Sequence, residues 1–93
     1  MYVVETCFDD EDNYIPVCFK SDQDALKRAK AEIKKQFKSC LADYNENQLS
    51  IKNYSKGLTD ESIIGGYAIV FKDNAINRTA VIDFAVVRYF KIK

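Results

Sequence analysis

The chain has 93 residues, 47% of them hydrophobic, and its 14 basic residues balance its 14 acidic ones. This length predicts one compact domain, residues 1–93, and the apolar content is sufficient for one core, which excludes a disordered chain. The zero net charge gives no indication of a polyanion-binding protein. Because the chain contains no histidine, Ser-His-Asp catalysis and the HExxH zinc motif are excluded.

Two alternating stretches at the N-terminus predict a β-hairpin. In residues 2–8 and 14–20, apolar side chains recur at every second position, which is the period of a β-strand. The five polar residues 9–13 between them have the length of a hairpin loop. Pro16 has no N–H for a sheet ladder, so the second strand is expected to lie at an edge of the sheet or to be bulged there.

One long helix is predicted over about residues 22–44. Ser21 precedes Asp24 by three residues, which is the spacing of a capping box, and Asp22 also lies in the first turn. Asn45 and Asn47 are suited to the end of the helix. Apolar residues recur at helical spacing and form one stripe: Leu26, Ala29, Ile33, Phe37, Cys40, Leu41 and Tyr44.

Three further strands follow the helix. Residues 48–54 alternate weakly, whereas residues 66–72 and 78–92 are rich in β-branched and aromatic side chains. The predicted order is ββαβββ. The expected fold is therefore an α+β two-layer sandwich, with the long helix packed on a mainly antiparallel sheet.

Local signals also predict the connections between these strands. Residues 59–61 favour one short helical turn that Gly65 would end. Residues 73–77 form a turn, since Asp and Asn tolerate the left-handed conformation. The last strand is long, which predicts a bulge near residues 83–86.

An acidic segment between the first two strands is one candidate partner-binding site. Residues 1–24 contain seven acids and one base, and four of these acids are consecutive: Asp9, Asp10, Glu11 and Asp12. An EF-hand calcium loop that began at Asp10 would need Gly at its sixth position and Glu at its twelfth. Ile15 and Ser21 occupy these positions, so the match fails. The segment is either a solvated turn or a negatively charged surface that docks on a basic partner.

The helix provides a second candidate site. Residues 25–40 contain six bases and one acid, and Lys27, Lys34 and Lys38 are expected along the flank of the apolar stripe. Lysines in this arrangement bind nucleic acid through phosphate contacts, or they form a solvated helix face. No aromatic RNA-binding motif, GXXG loop or zinc finger accompanies them.

The remaining reactive residues point away from catalysis and from a bound metal or cofactor. Cys7, Cys18 and Cys40 lack a histidine base and a CxxC spacing, and a reduced, cytoplasmic protein without disulfides is expected. Asp83 is the one acid within an apolar strand, and it is expected to be an outward-facing edge charge. The chain shows no signal peptide and no apolar run long enough to span a membrane.

The leading hypothesis is therefore a non-enzymatic protein-binding module that acts by surface complementarity. In size and composition the chain resembles phage-encoded inhibitors of bacterial defence, including anti-CRISPR proteins. Such a resemblance implies an inhibitor that covers a site on its protein partner. The alternative is a nucleic-acid-binding domain that uses the basic flank of the helix. The protein is expected to be a monomer, or a homodimer formed through an exposed edge strand.

Overall fold

One helix packs on a five-stranded antiparallel sheet. The computed structural model describes residues 1–8, 11–54, 62–73 and 75–90, with the backbone alone at positions 11, 12, 16 and 54. The elements are β1 (Tyr2–Phe8), β2 (Glu11–Phe19), α1 (Asp22–Cys40), a 3-10 turn (Glu46–Gln48), β3 (Leu49–Tyr54), β4 (Ile63–Asp73) and β5 (Arg78–Tyr89). The predicted α+β fold with the order ββαβββ is confirmed.

The sheet has the strand order β2-β1-β5-β4-β3. The first and last strands pair with each other, from Tyr2 opposite Tyr89 to Cys7 opposite Phe84. Consequently β2 and β3 form the two edges. Helix α1 connects the β1–β2 hairpin to the β3–β4–β5 meander and packs on the three central strands β1, β5 and β4.

The first hairpin is tighter than the sequence suggested. Strand β2 begins at Glu11, which pairs with Phe8, and Asp12 pairs with Cys7. The predicted loop over residues 9–13 is therefore wrong for residues 11–13, and residues 9 and 10 lie outside the described residues. Backbone pairing with β1 satisfies the polar main-chain groups, and an edge strand tolerates polar side chains.

Pro16 lies where the pairing of β2 with β1 is interrupted. Val3 pairs with Cys18 and Glu5 pairs with Tyr14, so one residue of β1 is opposed by three residues of β2. Because β2 is also an edge strand, both expectations for Pro16 are confirmed. Because the ladder is already irregular at Pro16, the missing N–H of this residue breaks no regular pairing.

Helix α1 begins at the predicted cap but ends four residues before the predicted end. The hydroxyl of Ser21 accepts a hydrogen bond from the backbone N–H of Asp24 at 3.5 Å. The last helical residue is Cys40, and the ring of Tyr44 lies 5.2 Å from that of Phe71. Leaving the helix allows the chain to turn towards the edge of the sheet, where it enters the 3-10 turn and then β3.

Strand β4 begins three residues earlier than predicted and includes both adjacent glycines. Gly65 therefore lies within a strand and ends no helical turn, while residues 59–61 lie outside the described residues. At Gly66 a Cβ atom would lie 2.7 Å from the Cα of Val86 and closer still to the carbonyl oxygen of Ala85. Only glycine fits this close approach of two strands.

The long β4–β5 hairpin contains the predicted turn and a bulge. Asn77 has a φ of 50°, and the carboxylate of Asp73 accepts a hydrogen bond from the N–H of Ala75 at 2.9 Å. Ile69 pairs with Asp83 and Val70 with Val81, which leaves one residue of β5, Ile82, unopposed. The bulge thus lies one residue before the predicted range 83–86, and β5 ends at Tyr89.

The core lies between α1 and the sheet. Its largest fully buried side chains are Ile33 from the helix and Val4, Ile69 and Val87 from the three central strands. On the opposite face of the sheet, Ala68, Val70 and Val86 are also buried. Within the described part of the chain, no helix is both long enough and apolar enough to cross a membrane.

Candidate partner-binding surfaces

The lysine ridge, which we define as Lys27, Lys34 and Lys38, lies on the outer surface of α1. All three residues are exposed, and the buried face of the helix is formed by Ala25, Ala29, Ile33 and Cys40. At ~100° per residue the lysines lie roughly 135–175° from the centre of that face. They therefore lie further from the centre of the buried face than the predicted flank. The centre differs because Leu26 and Phe37, which the predicted stripe included, are half-buried and only border the core.

The ridge presents unpaired positive charge. Its first and last members are eleven positions apart, which corresponds to about 16 Å along the helix axis. Lys30 and Lys35 are also exposed, on either side of the ridge. Among the described residues the ridge lysines make no ion pair, whereas the neighbouring Arg28 pairs with Glu32 at 2.9 Å.

The first residues of β2 lie towards the same end of the sheet as the C-terminus of α1. Cys40, the last residue of the helix, contacts Asp83 in β5, and the next residue of β5, Phe84, pairs with Cys7 near the end of β1. Glu11 and Asp12 lie in the first residues of β2, beside that end of β1, and Asp9 and Asp10 lie outside the described residues.

The opposite end of the helix is also acidic. Asp22 and Asp24 occupy the first turn of α1 and are exposed. Along the helix axis, the ridge thus lies between Asp22 and Asp24 at one end of α1 and the backbone of Glu11 and Asp12 near the other end.

Asp83 is buried, contrary to the expectation of an exposed edge charge. It is 3% exposed because β5 lies at the centre of the sheet and the side chain faces α1. Its carboxylate accepts hydrogen bonds from the side-chain amide of Gln36 at 2.9 Å and from the thiol of Cys40 at 3.4 Å. The signal that the sequence analysis missed is Gln36, a polar residue within the apolar stripe of the helix.

An ion pair on the other face of the sheet was also missed. The guanidinium of Arg88 donates to the carboxylate of Glu5 at 2.8 Å and to the hydroxyl of Ser62 at 2.8 Å. The side chains are only 20% and 10% exposed, for Arg88 and Glu5 respectively. This cluster joins β1, β5 and the residue before β4. Its groups are engaged with one another, as is typical of a structural contact.

The cysteines and acids form no reactive group in the described part of the chain. Cys7 and Cys18 lie on neighbouring strands, but their partners in the sheet are Asp12 and Val3, so the two thiols are offset along the strands. No disulfide links the three cysteines, all of which lie within the described residues. Among the described residues, no three acids or cysteines lie together as metal ligands would.

Two shallow grooves border the N-terminal half of α1. One runs towards β4 and is lined by Gln23, Asp24, Leu26, Lys27, Lys30 and Tyr67. The other runs towards β2 and is lined by Phe19, Asp24, Lys27, Arg28 and Ala31. Lys27 and Asp24 border both grooves. They therefore extend the charged surface of the helix.

Comparisons with protein-family models, with curated proteins and with solved structures find no match to this chain.

Proposed function

We propose that the protein is a non-enzymatic protein-binding module that acts by surface complementarity, as a small inhibitor or adaptor does. The observation that carries this proposal is the charge pattern along α1. Along the helix axis, the exposed lysine ridge lies between the acids of the first helical turn and the backbone of Glu11 and Asp12, the two acids that begin β2. Complementary charge of this kind steers a partner and selects its orientation.

The mixed charge favours a protein over a nucleic acid as the partner. A nucleic-acid backbone carries negative charge along its whole length, so its affinity grows with the number of neutralised phosphates. A strand that followed the ridge would meet acidic residues at both ends of α1. A folded protein can instead present acids to the lysines and bases to the flanking carboxylates. The zero net charge of the chain agrees with this choice.

Each of the two clusters has a defined part in the proposal. Lys27, Lys34 and Lys38 bind an acidic patch on the partner, and the segment from Asp9 to Asp12 binds a neighbouring basic patch. An inhibitor of this type works by covering a site on the partner, as the resemblance to phage-encoded inhibitors implies. It needs no cofactor and no catalytic residue.

A capture experiment from the native host, with variants that reverse or remove the charge of each cluster, tests this function. In one variant Lys27, Lys34 and Lys38 are changed to Glu, and in a second Asp9, Asp10, Glu11 and Asp12 are changed to Ser. A matched control changes Lys20, Lys72 and Arg78 to Glu, three exposed bases outside the ridge. We expect the wild type and the control to retain the same partner and the ridge variant to lose it. Equal recovery with every variant would contradict the proposal.

Titration with labelled DNA and RNA tests the alternative, a nucleic-acid-binding domain. Phosphate contacts are strongest at low salt, so the titration is done at low and at physiological salt concentration. We expect no binding under either condition. Binding that weakens steeply with salt and is lost in the ridge variant, but not in its control, would replace the proposed function by nucleic-acid binding.

A further inference from the structure

The two edges of the sheet differ in a way that bears on self-association. Strand β2 is bulged at Pro16 and begins with two acids, features that protect an edge from pairing with other strands. Strand β3 has neither feature. Its register with β4 runs without a shift from Leu49 opposite Phe71 to Tyr54 opposite Gly66. Among the described residues, no strand pairs with its outer side.

The helix leaves the middle of β3 uncovered, although Leu49 at the start of the strand belongs to the core. Helix α1 packs on β5, β1 and β4. Ile51, which pairs with Ile69 and so lies on the helix side of the sheet, is 37% exposed although it is a large apolar residue. A second strand placed beside β3 would therefore meet an apolar residue at the middle of the edge and no obstructing helix.

We propose that two copies of this chain associate through β3, antiparallel about a twofold axis at Ile51, so that the two sheets become continuous. An extended strand beside an open edge gains main-chain hydrogen bonds, and the alternate side chains determine the register. A second copy is favoured as the occupant because the strand is complementary to itself in one register only.

Two registers keep both helices on the same face and pair five residues of each β3 strand. Pairing Ile51 with Ile51 sets Ser50 opposite Lys52 and Leu49 opposite Asn53, so it pairs five residues of each strand and opposes no like charges. A shift of one step towards the C-terminus sets Lys52 against Lys52, which is destabilising. A shift in the other direction shortens the overlap within β3 to three residues. The central register is therefore the preferred one.

Sedimentation over about a thousandfold range of protein concentration tests the association, since dimerisation depends on concentration. We expect a monomer–dimer equilibrium in the wild type. Ile51→Lys places two like charges on the twofold axis, so its dimer dissociation constant should rise at least about tenfold. The control is Val17→Lys on the other edge, where the valine is similarly exposed at 45%, and this variant should dimerise as the wild type does.

Cysteine cross-linking tests the register independently of dimer stability. Ile51→Cys, made together with Cys7→Ser and Cys18→Ser, should form an intermolecular disulfide on mild oxidation, because directly opposed residues have close Cβ atoms. Ser50→Cys in the same background should not, since it faces Lys52. The proposal would be overturned by a wild type that stays monomeric throughout, by equal dimerisation of Ile51→Lys, or by preferential cross-linking at position 50. A monomeric wild type includes the case in which β3 binds a strand of another protein.

Discussion

A carboxylate buried against a helix needs hydrogen-bond donors, and Asp83 takes two of them from α1. Gln36 and Cys40 lie one helical turn apart and reach the same oxygen of the carboxylate. In the described part of the chain, no buried side-chain nitrogen or oxygen is without a partner. The polar contact thus fixes the C-terminal half of the helix at one position above β5.

Replacement of Asp83 tests this role. Asp83→Ala leaves the amide of Gln36 buried without its acceptor, and we expect a loss of about 1–3 kcal/mol in the free energy of unfolding. Asp83→Asn keeps an acceptor oxygen and should lose less. The measurement is urea unfolding at constant pH, with Asp43→Ala in the exposed turn after α1 as the control. Equal stability of Asp83→Ala and the control would show that the contact contributes nothing.

At the scale of elements, α1 is held by its cap and by a narrow buried face. Ser21 satisfies one N–H of the first turn, and Ala25, Ala29 and Ile33 are fully buried against the sheet. Two alanines in this face allow the helix to approach the strands closely. The same orientation of the helix exposes the lysine ridge to solvent. The packing of α1 on the sheet therefore also determines where this positive charge lies.

The contributions of the cap and of the buried face should differ in size. Ser21→Ala removes the side-chain acceptor and should cost about 1 kcal/mol. Ile33→Ala removes a fully buried side chain and should cost about 2–5 kcal/mol, since it leaves a cavity. Ser39→Ala, on the exposed side of the helix, should change little. Denaturant unfolding of the three variants measures this order, and a cap variant less stable than Ile33→Ala would contradict it.

At the scale of the whole molecule, stability is concentrated in the centre of the sheet. Strands β1, β5 and β4 carry the apolar side chains beneath α1, while β2 is bulged and lies at an edge. Opening of the edge strand requires the loss of few buried contacts. Opening of β5 requires the loss of its pairing with both neighbours and of its packing against the helix.

Native-state hydrogen exchange should reveal this difference. We expect the amide of Val87 in β5 to exchange only through global unfolding, whereas the amides of Val17 and Cys18 beside the β2 bulge exchange at least about tenfold faster through local opening. Dilute samples of the Ile51→Lys variant provide the control, because any pairing through β3 is then removed. Equal protection of β2 and β5 would mean that the sheet opens as one unit.

Much of the fold follows from local patterns. The two-residue period predicts β1, β2 and, more weakly, β3, whereas β-branched and aromatic content predicts β4 and β5. The helical period predicts α1, and Ser21 is recognisable as its cap because the capping bond spans three residues. Errors occur at boundaries, where tertiary contacts decide the outcome. The pairing of Phe8 with Glu11 extends β2 into the acidic segment, and the contact of Tyr44 with Phe71 coincides with the early end of the helix.

The candidate surfaces were only partly predictable for a related reason. The identity of the ridge lysines and of the acids is visible in the chain, but their position relative to one another depends on how α1 lies across the sheet. The ion pair of Glu5 with Arg88 joins residues near opposite ends of the chain, and no local pattern links them. Such pairs exist only once β1 lies beside β5.

The amino-acid sequence by itself determined the element types, their order, the α+β class and the segregation of charge, because each of these depends on residues within a few positions of one another. Only the tertiary structure decided the order of strands in the sheet, and with it which strands form the edges. That order buries Asp83 on a central strand and leaves the outer side of β3 without a strand partner among the described residues. The physical reason is that strand pairing joins distant segments through main-chain hydrogen bonds, which have the same form whatever the local sequence.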